Sequence, residues 1–175
     1  MIRLLALIGV LLAIPARAEI IDSAERGFTV VQTASVAASP DRAWQALTSE
    51  VGRWWHPEHT WFGRADALSI NARAGGCFCE ISGDAQVEHA RVIFVQPGKL
   101  LRMSGALGPM QGMGLSGLID WQFAAKDGET LITLRSRFGG YAPEGLGALA
   151  KPVDYVLGLQ LKRLAAHIEG RELPR

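Results

Sequence analysis

The feature that most restricts the fold of this chain is a pair of alternating segments, residues 115–123 and 130–138, that precede a helical pattern. In both segments most apolar side chains fall at alternate positions, which is typical of a strand with one buried and one solvated face. The dipeptide Asp127-Gly128 between them is a hairpin-turn signal. The two segments therefore predict an antiparallel hairpin.

The helical pattern at residues 149–168 places apolar side chains on one stripe at a spacing of about 3.6 residues. The stripe consists of Leu149, Val153, Val156, Leu157, Gln160, Leu161, Leu164 and Ile168. Gly170 is a plausible stop signal. A long amphipathic helix of this kind must cover the apolar face of a sheet.

The remainder of the chain adds further strands and one early helix. Ser39 and Pro40 are typical of a helix start, and they predict an amphipathic helix over residues 41–54. Further strands are predicted at 27–37, 67–72, 77–82, 86–96 and 100–106. The fold class is therefore α+β: a curved antiparallel sheet of about six to seven strands, wrapped around a long C-terminal helix with a cavity between them.

The N-terminal residues have the pattern of a cleaved export signal. Arg3 precedes an apolar run at 4–14, and Ala16-Arg17-Ala18 has the small residues that a signal peptidase requires. The run is shorter than the roughly twenty residues that span a bilayer. We therefore predict a signal peptide at 1–18, a single domain at 19–175 and a periplasmic or secreted location. An uncleaved anchor or a buried helix is the alternative.

Composition excludes several classes of protein. The chain has 175 residues, 20% of them charged, with a formal net charge of +1. Such a balance argues against a nucleic-acid partner, which a strongly basic protein would favour. No phosphate-binding loop or nucleophile elbow occurs in the sequence. We expect no cofactor, no stable membrane insertion after cleavage, and a monomer.

Several motifs follow one another in an order that resembles a known superfamily. They are residues 36–47, Trp54-Trp55, residues 74–78, residues 95–101 and the terminal helix. In this order they resemble the SRPBCC or START-like superfamily, which has the helix-grip fold of the birch-pollen allergen. Within it, the chain looks like the branch named after a chaperone ATPase activator. The resemblance implies the helix-grip fold for essentially all of the mature chain.

The resemblance leaves three functions open, because the superfamily includes lipid carriers, hormone receptors, polyketide cyclases and oxygenase subunits. The leading hypothesis is an exported protein that binds a small hydrophobic or amphipathic molecule between the sheet and the terminal helix. The first alternative is a cavity enzyme of the cyclase, dehydratase or hydrolase type. The second is a protein-interaction module.

Candidate ligand-binding residues concentrate in segment 53–62, which is rich in tryptophan and histidine. Indole and imidazole rings provide apolar surface together with a group that orients the polar end of a ligand. The alternative is that the tryptophans only fill the space between helix and sheet. Residues expected to line or gate the cavity are Trp54, Trp55, His56, His59, Trp61, Met110, Met113, Tyr141 and Val153.

Glu88 and His89 are the candidate catalytic residues, acting with His56 or His59 as acid–base groups. Alternation does not decide which face of strand 86–96 lies inside, because apolar residues occupy both sets of positions. If both side chains point outward, they are surface charges.

Two further features, a metal site and a disulfide, are not expected. His56 and His59 match no established metal motif, so we predict no metal site. Cys77 and Cys79 on one strand would have Cα atoms roughly 6.5–7 Å apart, at the edge of disulfide geometry. We therefore favour two free, buried thiols over a disulfide.

Overall fold

The computed structural model describes residues 17–175, and within them eight strands form one antiparallel sheet. The spatial order is β1-β2-β8-β7-β6-β5-β4-β3. The strands are β1 Arg17–Ala24, β2 Gly27–Val36, β3 Leu68–Ile70, β4 Cys77–Ser82, β5 Ala85–Gln96, β6 Leu100–Ser104, β7 Leu115–Lys126 and β8 Glu129–Gly140. Seven of them coincide with predicted strands. The sheet has eight strands, however, and not six to seven.

The additional strand is β1, which pairs with β2 at the edge of the sheet. The sequence prediction missed it because its first two residues, Arg17 and Ala18, were assigned to the signal segment. Residues 1–16 lie outside the described residues, so the structure does not test that segment. Pairing between β1 and β2 continues from Glu19 to Ala24, beyond the predicted cleavage point.

Turn chemistry explains the hairpins. Asp127 and Gly128 both have positive φ, 52° and 83°, at the turn that joins β7 to β8. Such backbone matches the twist of the flanking strands and favours Asp-Gly. Gly83, with φ of 62°, occupies the turn between β4 and β5.

The helices follow the predicted signals with one break. Helix α1 is Pro40–Ser49, α2 is Val51–Trp54 and α3 is Ala150–Ile168. The Ser39 hydroxyl accepts a hydrogen bond from the Arg42 backbone N–H at 3.2 Å, which is the predicted N-cap. The single helix predicted over 41–54 is interrupted at Glu50, whose φ and ψ of −126° and 17° are not helical.

Helix α3 packs on β1 and β2 and also contacts α1 and α2. The apolar residues beneath it form one core, with Leu161 and Leu164 fully buried. This is the helix-grip arrangement. Among residues 17–175, no helix combines the length and apolar character that crossing a membrane requires.

The expectation of free thiols is wrong, because Cys77 and Cys79 form a disulfide. Their Cα atoms lie 5.4 Å apart, closer than a regular strand would place them. The disulfide lies where the regular pairing of β4 with β5 is interrupted, between Phe78 and Cys79, so the spacing of an ideal strand does not apply there. Both cysteines are half-buried, while Phe78 between them is buried on the opposite face.

Candidate functional site

A cavity of about 470 Å³ lies between the N-terminal half of α3, strands β4 and β5, and two loops. Trp61 and Met113 stand at its mouth, where they are 51% and 53% exposed. The lining residues are Trp55, Glu58, His59, Thr60, Trp61, Phe78, His89, Leu107, Gly108, Pro109, Met110, Met113, Leu149, Pro152, Val153, Val156 and Leu157. Most of these are apolar, and the volume falls within the usual range for ligand pockets.

The loop that carries Trp55 and His59 is held from two directions. The Trp55 indole N–H donates to the His59 carbonyl at 2.9 Å. From α3, the fully buried Gln160 accepts the His56 backbone N–H with Oε1 at 2.9 Å. Its Nε2 donates to His59 Nδ1 at 2.8 Å. These contacts pre-organise the cavity wall.

Glu80 fastens the end of the same loop to the sheet. Its side chain is fully buried on β4, and its carboxylate accepts the backbone N–H groups of Trp61 at 2.9 Å and Phe62 at 2.7 Å. A third hydrogen bond joins Oε2 to His89 Nε2 at 3.0 Å. Three hydrogen bonds compensate for the removal of this carboxylate from water.

A β-bulge explains why His89 faces inward. Phe78 pairs with Ala90 while Cys79 pairs with Glu88, so His89 is an additional residue on β5. As a result, His89 and Ala90 are both buried although they are consecutive. Bulges of this kind redirect a side chain and break the alternation from which a face is normally assigned.

The hydrogen bond to Glu80 determines the tautomer of His89. Since a carboxylate only accepts, Nε2 carries the proton, and in the neutral ring Nδ1 is an acceptor. Nδ1 has no hydrogen-bond partner among the described residues, and it is not one of their fully enclosed unpaired atoms. Burial lowers the pKa of His89 below its usual 6.5, against the opposing effect of Glu80.

His59 has the same Nε2–H tautomer as His89, but in His59 the nitrogen without a hydrogen-bond partner is the donor Nε2. Gln160 donates to Nδ1, so Nε2 carries the proton and has no partner among the described residues. Burial lowers the pKa of His59 below 6.5, and the neighbouring His56 lowers it further. The cavity wall thus combines a neutral acceptor, His89, with a neutral donor, His59.

The structure brings seven of the predicted site residues to the cavity. These are Trp55, His59, Trp61, His89, Met110, Met113 and Val153.

Four other predicted site residues do not line this cavity. Trp54 is fully buried in the core, where its indole N–H donates to the Ala46 carbonyl at 2.9 Å. The His56 side chain accepts the Glu58 backbone N–H at 3.2 Å. Tyr141 is 80% exposed just after β8. Glu88 is exposed and paired with Arg91, because the bulge at His89 leaves it on the outer face.

Two important residues were not among the predicted site residues. Glu80 alternates with Phe78 on β4, so an acidic residue at an inward position of a strand was the available signal. Gln160 lies on the apolar stripe of α3, where a polar residue indicates a buried hydrogen bond.

Within residues 17–175, no three His, Cys, Asp or Glu side chains converge on a position where they could hold a metal ion.

The fold and the site define a helix-grip protein with an internal, mainly apolar cavity. A sequence profile described as "Polyketide cyclase / dehydrase and lipid transport" matches residues 27–169. The chain belongs to this family, and the description is compatible with binding of a ligand. A search of the curated proteins found no match.

Solved structures with the same fold are distant in sequence. CalU16 from Micromonospora echinospora is 17% identical, with a TM-score of 0.60 over 91% of this chain and 76% of that one. A putative uncharacterized protein from Rhizobium leguminosarum is 18% identical, with a TM-score of 0.57 over 90% of this chain and 100% of that one. The Aha1 dimer from Colwellia psychrerythraea is 19% identical, with a TM-score of 0.57 over 81% and 96%. Identities this low show the fold alone.

Proposed function

We propose that this protein binds a small hydrophobic or amphipathic molecule in the cavity beneath α3. The supporting observation is the cavity itself, about 470 Å³ with a mainly apolar wall. His59 Nε2 and His89 Nδ1 provide one donor and one acceptor to orient a polar group of the ligand. The lipid-transport part of the family description is consistent with such a ligand.

A titration with the apolar fluorophore N-phenyl-1-naphthylamine tests the proposal. Val153 lines the cavity, so the larger side chain in Val153→Trp narrows it and is expected to weaken binding of the fluorophore. Tyr155→Trp is the matched control, because Tyr155 lies on the same helix but is 68% exposed. Equal binding by both variants, or none by the wild type, would refute the proposal. Native mass spectrometry of protein purified without detergent would then identify the natural ligand by mass.

Export and oligomeric state are further parts of the proposal. The pattern of residues 1–18 supports signal cleavage, and the Cys77–Cys79 disulfide is compatible with an oxidising compartment. Expression of the full chain in a bacterial host should yield a periplasmic product that begins at Glu19. An unprocessed cytoplasmic product would count against export. We propose a monomer, which sedimentation equilibrium would test.

A further inference from the structure

Attachment of the loop at residues 61 and 62 to the sheet does not require a histidine at position 89. Glu80 accepts the N–H groups of Trp61 and Phe62 without any help from an imidazole. A buried apolar side chain at position 89 would fill the same space beside Phe78, whose ring centre lies 5.0 Å from that of His89. Instead, a β-bulge turns a polar ring into an apolar cavity wall.

The surroundings of His89 match the requirements of a general base. The ring is neutral near pH 7, because burial lowers its pKa. The Nδ1 lone pair, which has no hydrogen-bond partner among residues 17–175, can take a proton. When it does, Nε2–H and the Glu80 carboxylate become an ion pair at 3.0 Å, which stabilises the imidazolium. The three hydrogen bonds to Glu80 fix the ring before any ligand arrives.

The same wall carries a group that can stabilise the negative charge left on a deprotonated ligand. His59 lines the cavity, and its tautomer leaves Nε2–H available as a donor. The titratable side chains lining the cavity with His89 are those of Glu58 and His59, and Glu80 contacts it from β4.

We infer that His89, positioned by Glu80, is a general base that removes a proton from an apolar carbon acid held in this cavity, while His59 donates a hydrogen bond to the resulting anion. The inference rests on the proposed function, because the substrate must occupy the same cavity. Glu80 is a positioning residue, since it acts through His89.

The probe is 5-nitrobenzisoxazole, whose ring opening requires only a base. His89 Nδ1 takes the proton from the carbon next to the ring nitrogen, and the electrons of that C–H bond complete a nitrile. The N–O bond breaks, and the oxygen leaves as a coloured nitrophenolate. The proton then passes from His89 to water. No oxidant, reductant or second substrate is consumed.

Replacement of the base should remove most of the turnover. We expect His89→Gln to lower kcat/KM about 100-fold, as is typical for the loss of a positioned base. Arg91→Gln is the control, because Arg91 lies on the same strand with its side chain exposed, and it should retain the wild-type rate. His59→Leu should lower kcat about tenfold, because leucine has no hydrogen-bond donor.

The pH profile tests the role of Glu80. Wild-type turnover should rise with pH as His89 loses its proton, with a midpoint below 6.5. Since the Glu80 carboxylate raises the pKa of His89, Glu80→Gln should move this midpoint to lower pH. A purely structural role would lower the amount of folded protein without moving the midpoint. An unchanged midpoint therefore refutes the role of Glu80.

Binding of N-phenyl-1-naphthylamine, measured on the same samples, separates the two proposals. If the fluorophore binds but His89→Gln and wild type open the probe at equal rates, the general base is refuted and the binding function stands. If His89→Gln does not fold, Val153→Trp replaces it and should lower both turnover and fluorophore binding. Turnover that is unchanged in Val153→Trp while fluorophore binding is weakened would refute catalysis in the cavity.

Discussion

Residues 17–175 contain two glutamate–histidine side-chain pairs, and one of them faces the cavity. His89 lies 3.0 Å from Glu80, and both side chains are almost completely buried. His167 lies 2.5 Å from Glu50, where the side chains are 19% and 13% exposed. The contacts are similar, but their surroundings are not.

The Glu50–His167 pair connects α3 to the break between α1 and α2. Glu50 lies at the break between α1 and α2, and it also accepts two hydrogen bonds from Arg42 at 2.9 and 3.1 Å. His167 reaches it from the last turn of α3. Burial would raise the pKa of Glu50, but the hydrogen bonds and charges of His167 and Arg42 lower it below 4.5. An unpaired nitrogen beside a cavity, and not the contact between glutamate and histidine, therefore identifies a candidate base.

The largest expected difference between the pairs concerns stability. Glu80→Ala leaves one buried and two partly buried donors without their acceptor, so we expect a loss of about 3 kcal/mol in the free energy of unfolding. Glu50→Ala removes a partly solvated pair and should cost about 1 kcal/mol. Urea denaturation of both variants measures this. A larger loss for Glu50→Ala would reverse the comparison.

The two halves of α3 should respond differently to the loss of apolar atoms. Leu164 is fully buried in the C-terminal half, and Leu164→Ala should cost about 3 kcal/mol of unfolding free energy. Val156 is half-buried at the cavity, so Val156→Ala should cost below about 1 kcal/mol because little close packing is lost. Thermal and urea denaturation test this difference. Equal losses would mean that the cavity is filled by packed side chains in solution.

As the pH falls, the free energy of unfolding should first lose the contribution of the cavity histidines and only then that of Glu50, between α1 and α2. Burial lowers the pKa values of His59 and His89, so the unfolded chain binds more protons than the folded one below about pH 6.5. The free energy of unfolding should therefore fall as the pH drops through that range. The contribution of Glu50, whose pKa is lowered from 4.5, is lost only at lower pH.

Melting temperatures between pH 8 and pH 5 measure this dependence. The variant His89→Gln should show a shallower decline than the wild type over this range. A decline of equal steepness would show that His89 does not bind a proton on unfolding.

The smallest change in the free energy of unfolding is expected for reduction of the disulfide on the outer face of β4. It joins residues only two positions apart, so it restricts the unfolded chain little. We expect its reduction to change the free energy of unfolding by about 1 kcal/mol or less. Thiol titration of the denatured protein should detect free thiols only after reduction. Two free thiols in protein isolated without reductant would contradict the bond.

Regular elements were predictable because their signals are local. Alternation identified β7 and β8, Asp127-Gly128 identified the turn between them, and Ser39 identified the start of α1. The apolar stripe identified α3 to within one residue at its start. Strand β1 was missed: its first two residues belong to the predicted signal segment, and no strand was predicted for the six that follow.

The site was predictable only as a region. The tryptophan- and histidine-rich segment supplies part of the cavity wall, but the sequence could not separate Trp54 in the core from Trp55 at the cavity. Both faces of β5 have apolar residues, since its pairing shifts register twice, near His89 and between Val92 and Phe94. Alternation is a property of regular strands, and a bulge removes it.

The sequence by itself determined the elements, because periodicity, caps and turn residues act within a few positions of the chain. It also determined that an amphipathic helix must cover an antiparallel sheet. Only the tertiary structure decided that Glu80 meets His89 and that Gln160 meets His59, 101 positions away. Such contacts depend on how strands register and where loops cross. A directed hydrogen bond is specified to within a fraction of an ångström, whereas a sequence pattern specifies only a face.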